Sequence, residues 1–188
     1  ITTSLFGPFK GIPVDHSYTN VLSSANFKLD VRPDLVARFA VAQTMTRADY
    51  SALAGFTDLS PPAVQGGTGT GSGGNPDLKP ILSNNVDAGL EWYFAKRSLL
   101  SAGLFYMDLQ NYVGFGSETK SYLTFSSQVP QGEMVPYLLT VPVNAQGRVQ
   151  GLELSYQQAI NDNFGVQANY TYADGKQTSL VTNGDDRL

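Results

Sequence analysis

The chain has 188 residues and a net charge of −4, which excludes a nucleic-acid partner because phosphate binding needs a basic face. Charged residues make up 15% of the chain, below the roughly 25% usual for soluble globular domains, and aromatic residues make up 11%. The absence of cysteine excludes disulfides and thiolate metal sites. The sequence has no run of about 18 apolar residues, so no transmembrane helix is predicted. This composition favours a β-protein whose surface does not all face water.

Six segments are predicted to form strands because apolar and polar residues alternate in them with a period of two, as expected of strands with two unlike faces. In chain order these segments are 18–31, 34–46, 82–94, 98–113, 149–158 and 163–173. The segment 18–31 alternates in its second half, and the segment 98–113 is apolar on both faces near 99–106, so the alternation leaves its orientation open. Strands of globular proteins usually span about 5–6 residues, whereas a strand that crosses a bilayer needs about 9–11. The lengths of the six segments therefore favour a membrane barrel over a soluble sandwich.

One face of these segments collects large apolar side chains and is predicted to face lipid. Its members are Val86, Ala88, Leu90, Trp92, Phe94, Leu152, Leu154, Phe164, Val166, Tyr170 and Tyr172. Glu91 and Glu153 fall on the opposite, lumen-facing side. Paired carboxylates can perform acid–base chemistry, but in a water-filled lumen they are expected to face solvent or a plug.

The connections between the segments alternate in length. Arg32-Pro33, Ala95–Arg97 and Ile160–Asp162 form tight turns, whereas the stretches at about 47–81 and 114–136 form long loops. Outer-membrane barrels show this asymmetry, with short periplasmic turns and long external loops. The predicted fold is therefore all-β, an antiparallel transmembrane β-barrel meander that supplies about six strands of a larger barrel.

Three further motifs contain residue types that can form a cofactor, catalytic or metal site. The stretch Gly69–Gly74 matches G-x-G-x-x-G, but Asn75-Pro76 follows it in place of a helix, so a flexible loop is expected rather than a dinucleotide site. His16 is the single histidine and cannot build a catalytic triad or a histidine metal site alone. Asp185-Asp186 could ligate Ca²⁺, but a solvated loop end is the preferred interpretation. No catalytic, cofactor or metal site is predicted.

The long loops carry four aromatic residues that are candidate ligand contacts: Tyr50, Phe56, Phe115 and Tyr122. Aromatic rings in outer loops can stack on a sugar ring or on a siderophore catechol. The alternative is that these rings only pack the loops.

Three stretches resemble one known family in their order and spacing. They are NPDLKP at 75–80 with SNNVDAGLEWYF at 83–94, SLLSAGLFYMDLQNYV at 98–113, and VPVNAQGRVQGLELSYQ at 141–157. TonB-dependent receptors carry similar segments in the barrel wall. In this chain Ile81 stands where that family usually has Glu, and Ala48 where it commonly has Pro.

This resemblance implies a barrel of about 22 strands around a plug, placed in the outer membrane of a Gram-negative bacterium. It also implies TonB-dependent uptake of a scarce, bulky nutrient, a ferric siderophore or an oligosaccharide, without enzymatic activity or a cofactor. The implied partners are outer-membrane lipid, the plug and remaining strands of the same receptor, TonB through the plug, and the nutrient. Residues 1–188 contain neither a plug nor a TonB box and are expected to be part of the barrel.

Two functions from other classes remain open at this point. One is a passive porin or structural barrel whose loops bind no specific ligand. The other is a soluble β-sandwich that acts as a carbohydrate-binding module. Detergent dependence of the protein separates the sandwich from both barrels, and a plug domain encoded upstream separates a receptor from a porin.

Overall fold

The computed structural model describes residue 15 and the ranges 17–125 and 131–180. Within these ranges all regular structure is β-strand, and no helix is long and apolar enough to span a membrane. The strands are β1 (Ser24–Arg32), β2 (Leu35–Thr46), β3 (Thr57–Ser60), β4 (Gly69–Gly73), β5 (Ile81–Ala95), β6 (Ser98–Thr124), β7 (Glu133–Ala159) and β8 (Gly165–Leu180).

Six long strands form an antiparallel meander in the order β1-β2-β5-β6-β7-β8, as the alternation predicted. Short turns join β1 to β2, β5 to β6 and β7 to β8, and all three lie at one end of the sheet. Arg97 occupies the turn before β6 with a positive φ of 58°, a left-handed conformation that residues other than glycine seldom adopt. The sheet is open and forms part of a barrel wall.

The strand register separates an apolar face from a polar face. Leu90 pairs with Ala37 on one side and Ala102 on the other. The same row continues through Leu154 to Tyr170, because Ala102 pairs with Leu154 and Leu154 with Tyr170. Paired residues in antiparallel strands point to the same side, so this row defines one apolar face.

The predicted lipid-facing residues share this apolar face. Nine of them are placed there by register, namely Val86, Ala88, Leu90, Trp92, Leu152, Leu154, Val166, Tyr170 and Tyr172. Phe94 joins them through ring contacts with Trp92 at 5.5 Å and Tyr156 at 6.0 Å. Phe164 lies just before β8 and is exposed. The next row of the polar face contains Arg38, Gly89, Gly103 and Glu153.

Two β-bulges flank β7 at the same level and divide the sheet in two. In β6 the pairing advances from Leu109 to Tyr112 while β7 moves only from Gly147 to Ala145, so β6 carries one additional residue. Asn111 lies in this bulge with a φ of 56°, a conformation that asparagine tolerates better than most residues. A similar shift occurs in β8 opposite Gln146 and Gly147. We call the part of the sheet between these bulges and the tight turns the lower sheet. Residues 112–124 and 133–145, on the other side of the bulges, form what we call the outer hairpin.

The outer hairpin buries the face that is polar in the lower sheet. Residues at alternate positions of β7 are buried, including Tyr137, Leu139, Val141, Val143 and Ala145. They continue the polar face of the lower sheet, because β7 itself has no bulge and they keep the parity of Glu153. Three partly buried residues pack against this cluster: Leu59, Tyr122 and Val135.

The two long connections are more ordered than a chain of loop residues. The stretch 114–136 includes the end of β6 and the start of β7, which pair without a break from Tyr112 to Thr124. The stretch 47–81 contains β3 and β4, which pair with each other. The expectation of a flexible loop at Gly69–Gly74 was wrong, because Gly69–Ser72 pairs in parallel with Tyr137–Thr140 of β7. Backbone hydrogen bonding compensates there for the weak strand propensity of glycine.

Candidate functional site

A groove with a volume of about 710 Å³ opens at the end of the sheet opposite the tight turns. Arg47 follows the end of β2, and Pro80 precedes the start of β5, so the long connection between these strands forms much of its wall. Tyr18, from the segment before β1, lines the other side. The groove also includes Tyr50, Leu53 and Leu78, which give it both aromatic and aliphatic surface.

Arg47 gives this groove a positive group above an aromatic ring. Its guanidinium carbon lies 5.8 Å from the centre of the Tyr18 ring, within the range of a cation–π contact. None of the ion pairs found among residues 17–125 and 131–180 involves Arg47. The groove can therefore offer a planar set of N–H donors to an anionic group, and the exposed ring of Tyr50 can stack on a flat one.

The structure does not bring the four aromatic candidates together. Tyr50 is 89% exposed and lines the groove, whereas Phe56 is exposed just before β3 and does not line it. Phe115 and Tyr122 lie on opposite faces of the outer hairpin, since seven positions separate them in one strand. Tyr122 packs edge-to-face on the Tyr137 ring at 5.9 Å. Tyr50 is thus the one of the four that lines this groove.

The two carboxylates predicted on the polar face do not form a pair with each other. Arg38 donates two hydrogen bonds to Glu91, from Nε at 2.7 Å and from an η nitrogen at 3.2 Å. Tyr93 donates a third from its hydroxyl at 2.9 Å. Glu153 lies one row away, opposite Gly103. Glu91 is therefore held in an ion pair with Arg38, and the two carboxylates do not form the pair that was considered for acid–base chemistry.

The outer hairpin carries one further ion pair, on the face that also holds Tyr137 and Leu139. Lys120 donates to Glu118 at 2.7 Å, and this carboxylate raises the pKa of Lys120 above its ordinary value. Lys120 therefore stays protonated to a more alkaline pH than an isolated lysine. No grouping of three or more metal-ligating side chains occurs in the part of the chain that the structure describes.

Sequence reasoning missed two asparagines that fasten the long connection to the hairpin. Asn144 accepts a hydrogen bond from the Lys79 backbone at 2.9 Å and donates to the Lys79 carbonyl at 3.2 Å and the Asn111 carbonyl at 2.9 Å. Asn111 in turn donates to the Pro80 carbonyl at 3.3 Å. Both stand in the stretches that carry the family resemblance, but a single sequence gives no signal of which backbone they bind. The remaining candidates, His16 and Asp185-Asp186, lie outside the described residues.

Solved structures with the same fold include three bacterial receptors. The siderophore receptor PirA from Acinetobacter baumannii is 18% identical with a TM-score of 0.65, over 89% of this chain and 24% of its own. The ferric enterobactin receptor PfeA from Pseudomonas aeruginosa, solved with enterobactin, is 19% identical with a TM-score of 0.67, over 82% and 22%. PirA from Pseudomonas aeruginosa is 16% identical with a TM-score of 0.57, over 83% and 25%. The chain thus spans about a quarter of the receptors it matches.

The sequence comparison agrees with this fold and covers almost the whole chain. No curated protein matches the chain in sequence. The sequence model described as TonB dependent receptor-like, beta-barrel, matches residues 2–188. This match includes the motifs at 75–94, 98–113 and 141–157 on which the resemblance was based. The chain therefore belongs to the TonB-dependent receptor-like β-barrel family.

Proposed function

We propose that this chain is part of the barrel wall of an outer-membrane receptor that takes up a scarce, bulky nutrient in a TonB-dependent, non-enzymatic process. The observation that supports a receptor over a passive porin is the groove at the outer end, where Arg47, Tyr18 and Tyr50 offer charge and aromatic surface together. A pore that only sieves solutes has no need of such a surface.

The proposed location is the outer membrane of a Gram-negative bacterium, with the apolar face of the lower sheet against lipid. The polar face, with Arg38 and Glu91, then lines the lumen and meets the plug domain of the same receptor. The remaining strands complete the barrel, and TonB acts through the plug. An open sheet cannot cross a bilayer by itself, because its unpaired edge groups would each cost several kcal/mol in lipid.

The proposed nutrient is a ferric siderophore, with an oligosaccharide as the alternative. Two of the solved relatives named above are siderophore receptors, and the third is a ferric enterobactin receptor that was solved with enterobactin. An anionic, aromatic ligand also matches the chemistry of Arg47 and Tyr50 better than a neutral sugar does, because Arg47 would supply charge-assisted hydrogen bonds.

A binding titration on the purified full-length receptor tests this proposal with ferric enterobactin and a maltooligosaccharide as probes. Arg47→Ala should weaken ferric enterobactin binding roughly tenfold or more, since hydrogen bonds to charged groups contribute about 1.5–3 kcal/mol. Lys96→Ala, in a turn at the opposite end of the sheet, is the control and should bind like the parent. Tight sugar binding with no siderophore binding would support the alternative nutrient.

Uptake by intact cells separates the receptor from the porin. Accumulation of the ferric probe should require TonB and should stop when TonB is deleted. Equal accumulation with and without TonB would contradict the receptor proposal and favour a passive pore. Purification of the full-length protein in a stable form without detergent would instead favour the soluble carbohydrate-binding module.

A further inference from the structure

The segment Thr57–Pro80, which we call the clasp, crosses a neighbouring hairpin of the sheet. β4 lies on the side of β7 that faces away from β6, as the order β5-β6-β7-β4-β3 shows. The chain must then return to the start of β5, which lies on the far side of β6. The clasp therefore passes across the outer hairpin, from the free side of β7 to the start of β5.

β4 fits against β7 because two of its positions have no side chain. A Cβ on Gly69 would lie 2.4 Å from the ring of Tyr137, and a Cβ on Gly71 would lie 2.8 Å from a methyl carbon of Leu139. Either distance is shorter than real contacts of a Cβ. With glycine at both positions, Tyr137 is fully buried and Leu139 is 1% exposed. β4, together with Leu59 of β3, thus covers the side chains of Tyr137 and Leu139, which we call the apolar stripe of the outer hairpin.

Side-chain amides fasten the second half of the clasp. Asn75 donates to the Pro142 carbonyl at 3.0 Å, just past the end of the β4–β7 pairing. Asn144 then holds the backbone of Lys79 through both its carbonyl oxygen and its amide nitrogen. These contacts attach the second half of the clasp to β7, and the hydrogen bond from Asn111 to the Pro80 carbonyl attaches its end to β6.

The attachment of β4 is weak compared with the strands of the lower sheet. It rests on four parallel residue pairs, whereas β6 and β7 pair along most of their 27 residues. Parallel pairing is slightly less stable per residue, and glycine loses more conformational entropy on ordering than other residues. Segments with few pairs and exposed hydrogen bonds open at lower free energy than the core of a sheet.

From these contacts we propose that the clasp is a movable cover: β4 detaches from β7 while the lower sheet stays folded, and the Tyr137–Leu139 stripe becomes exposed at the outer end of the barrel. In the closed state the outer wall is sealed by the clasp. In the open state the wall presents an apolar strip and a free edge of β7. This motion of the clasp does not depend on which nutrient the receptor binds.

Thiol labelling of a full-length receptor tests this proposal, with any other cysteines replaced by serine. Leu139→Cys reports on the covered stripe, and Leu138→Cys, whose native side chain is 48% exposed on the opposite face, is the matched control. A membrane-impermeant maleimide should label Leu139→Cys measurably, but at least about tenfold more slowly than Leu138→Cys. Labelling at equal rates, or no labelling of Leu139→Cys at all, would overturn the proposal.

Two variants then test whether the clasp is what covers the stripe. Gly71→Ala places a Cβ against Leu139 and against the Asp58 carbonyl at 2.5 Å, so it should raise the labelling rate of Leu139→Cys about tenfold. Asn144→Ala adds no atoms and should act in the same direction, whereas Asn84→Ala, which only loses a bond to Gln43, should leave the rate unchanged. The electrophoretic mobility of the unheated barrel should remain that of the parent in every variant. An unchanged rate in both Gly71→Ala and Asn144→Ala, or a changed rate in Asn84→Ala, would refute the assignment.

Discussion

The lower sheet and the outer hairpin share strands β6 and β7, but the outer hairpin buries the face that is polar in the lower sheet. In the lower sheet Leu154 is 38% exposed and Leu104 is 60% exposed, because none of the described residues covers the apolar face. In the outer hairpin Leu139 is 1% exposed on the other side of the same strand β7. The period of two is therefore continuous along β7, but the environment of each face changes at the level of the two bulges.

With the chain in an outer membrane, as proposed, this difference places the membrane edge at the level of the two bulges. Below the bulges, the apolar face runs from Trp92 to Val86 and meets lipid in a barrel of this family. Above them, large apolar side chains turn inward and pack under the clasp, as they do in a water-soluble protein. In the proposed membrane location, β7 thus passes from a region in contact with lipid to one that is stabilised by protein packing.

The largest expected effect is on the outer hairpin. Leu139→Ala should reduce the free energy of opening of the hairpin by about 2–5 kcal/mol, because it leaves a cavity among buried neighbours. Amide hydrogen exchange of the reconstituted full-length receptor measures this at residues 137–143. Leu138→Ala should change the same exchange by less than about 0.5 kcal/mol. Similar effects of both substitutions would contradict the inward packing of this face.

The next effect tests the lipid-facing side of the lower sheet. Leu154→Arg should destabilise the full-length barrel in lipid vesicles by about 2–4 kcal/mol, the cost of an arginine near the bilayer midplane. Ser155→Arg places the same charge on the polar face at the neighbouring position and should have a much smaller effect. Urea unfolding in vesicles gives both values. If Ser155→Arg is the more damaging substitution, the two faces have been assigned the wrong way round.

The smallest effect concerns the end of the lower sheet near the tight turns. Trp92 donates a hydrogen bond from Nε1 to Asp34 at 2.9 Å and so ties β5 to the turn between β1 and β2. Trp92→Phe keeps an aromatic ring but loses this bond, which should cost about 0.5–1.5 kcal/mol in the same unfolding measurement. Asp34→Asn retains an acceptor and serves as the control. A loss above about 3 kcal/mol for Trp92→Phe would mean that ring packing, rather than the hydrogen bond, dominates there.

The strands of the lower sheet were predictable because each obeys one local rule. Alternation of Val86, Leu90 and Trp92 with polar residues predicted both the strand and its apolar face, and the register of β2, β5 and β6 confirmed it. The tight turns were predictable for the same reason, since they follow directly from where the alternation stops. Local rules were enough here because neighbours in sequence are neighbours in the sheet.

The outer end could not be predicted in this way because its contacts join residues far apart in the chain. Gly69–Gly73 has the composition of a flexible linker, yet it forms a strand because it pairs with β3 on one side and with β7 on the other, as in the pair of Gly69 with Tyr137, 68 residues later. Tyr122 was predicted as a possible ligand contact, yet its ring packs on Tyr137. Arg47 entered the groove through its position beside Tyr18, which no local pattern encodes.

The additional residue at the bulge of β6 sets a rule for exchanging outer segments between receptors of this kind. A graft that joins two chains at Tyr112 keeps the parity of the outer strand only if Gln110 and Asn111 travel with it in full. Loss of one of these residues would rotate every side chain from Tyr112 to Thr124 to the other face, so that Tyr122 would point away from the hairpin core. Recombination upstream of Leu109 would transfer the additional bulge residue together with the outer strand. Recombination within the bulge could lose that residue and turn the side chains of the outer strand to the opposite face.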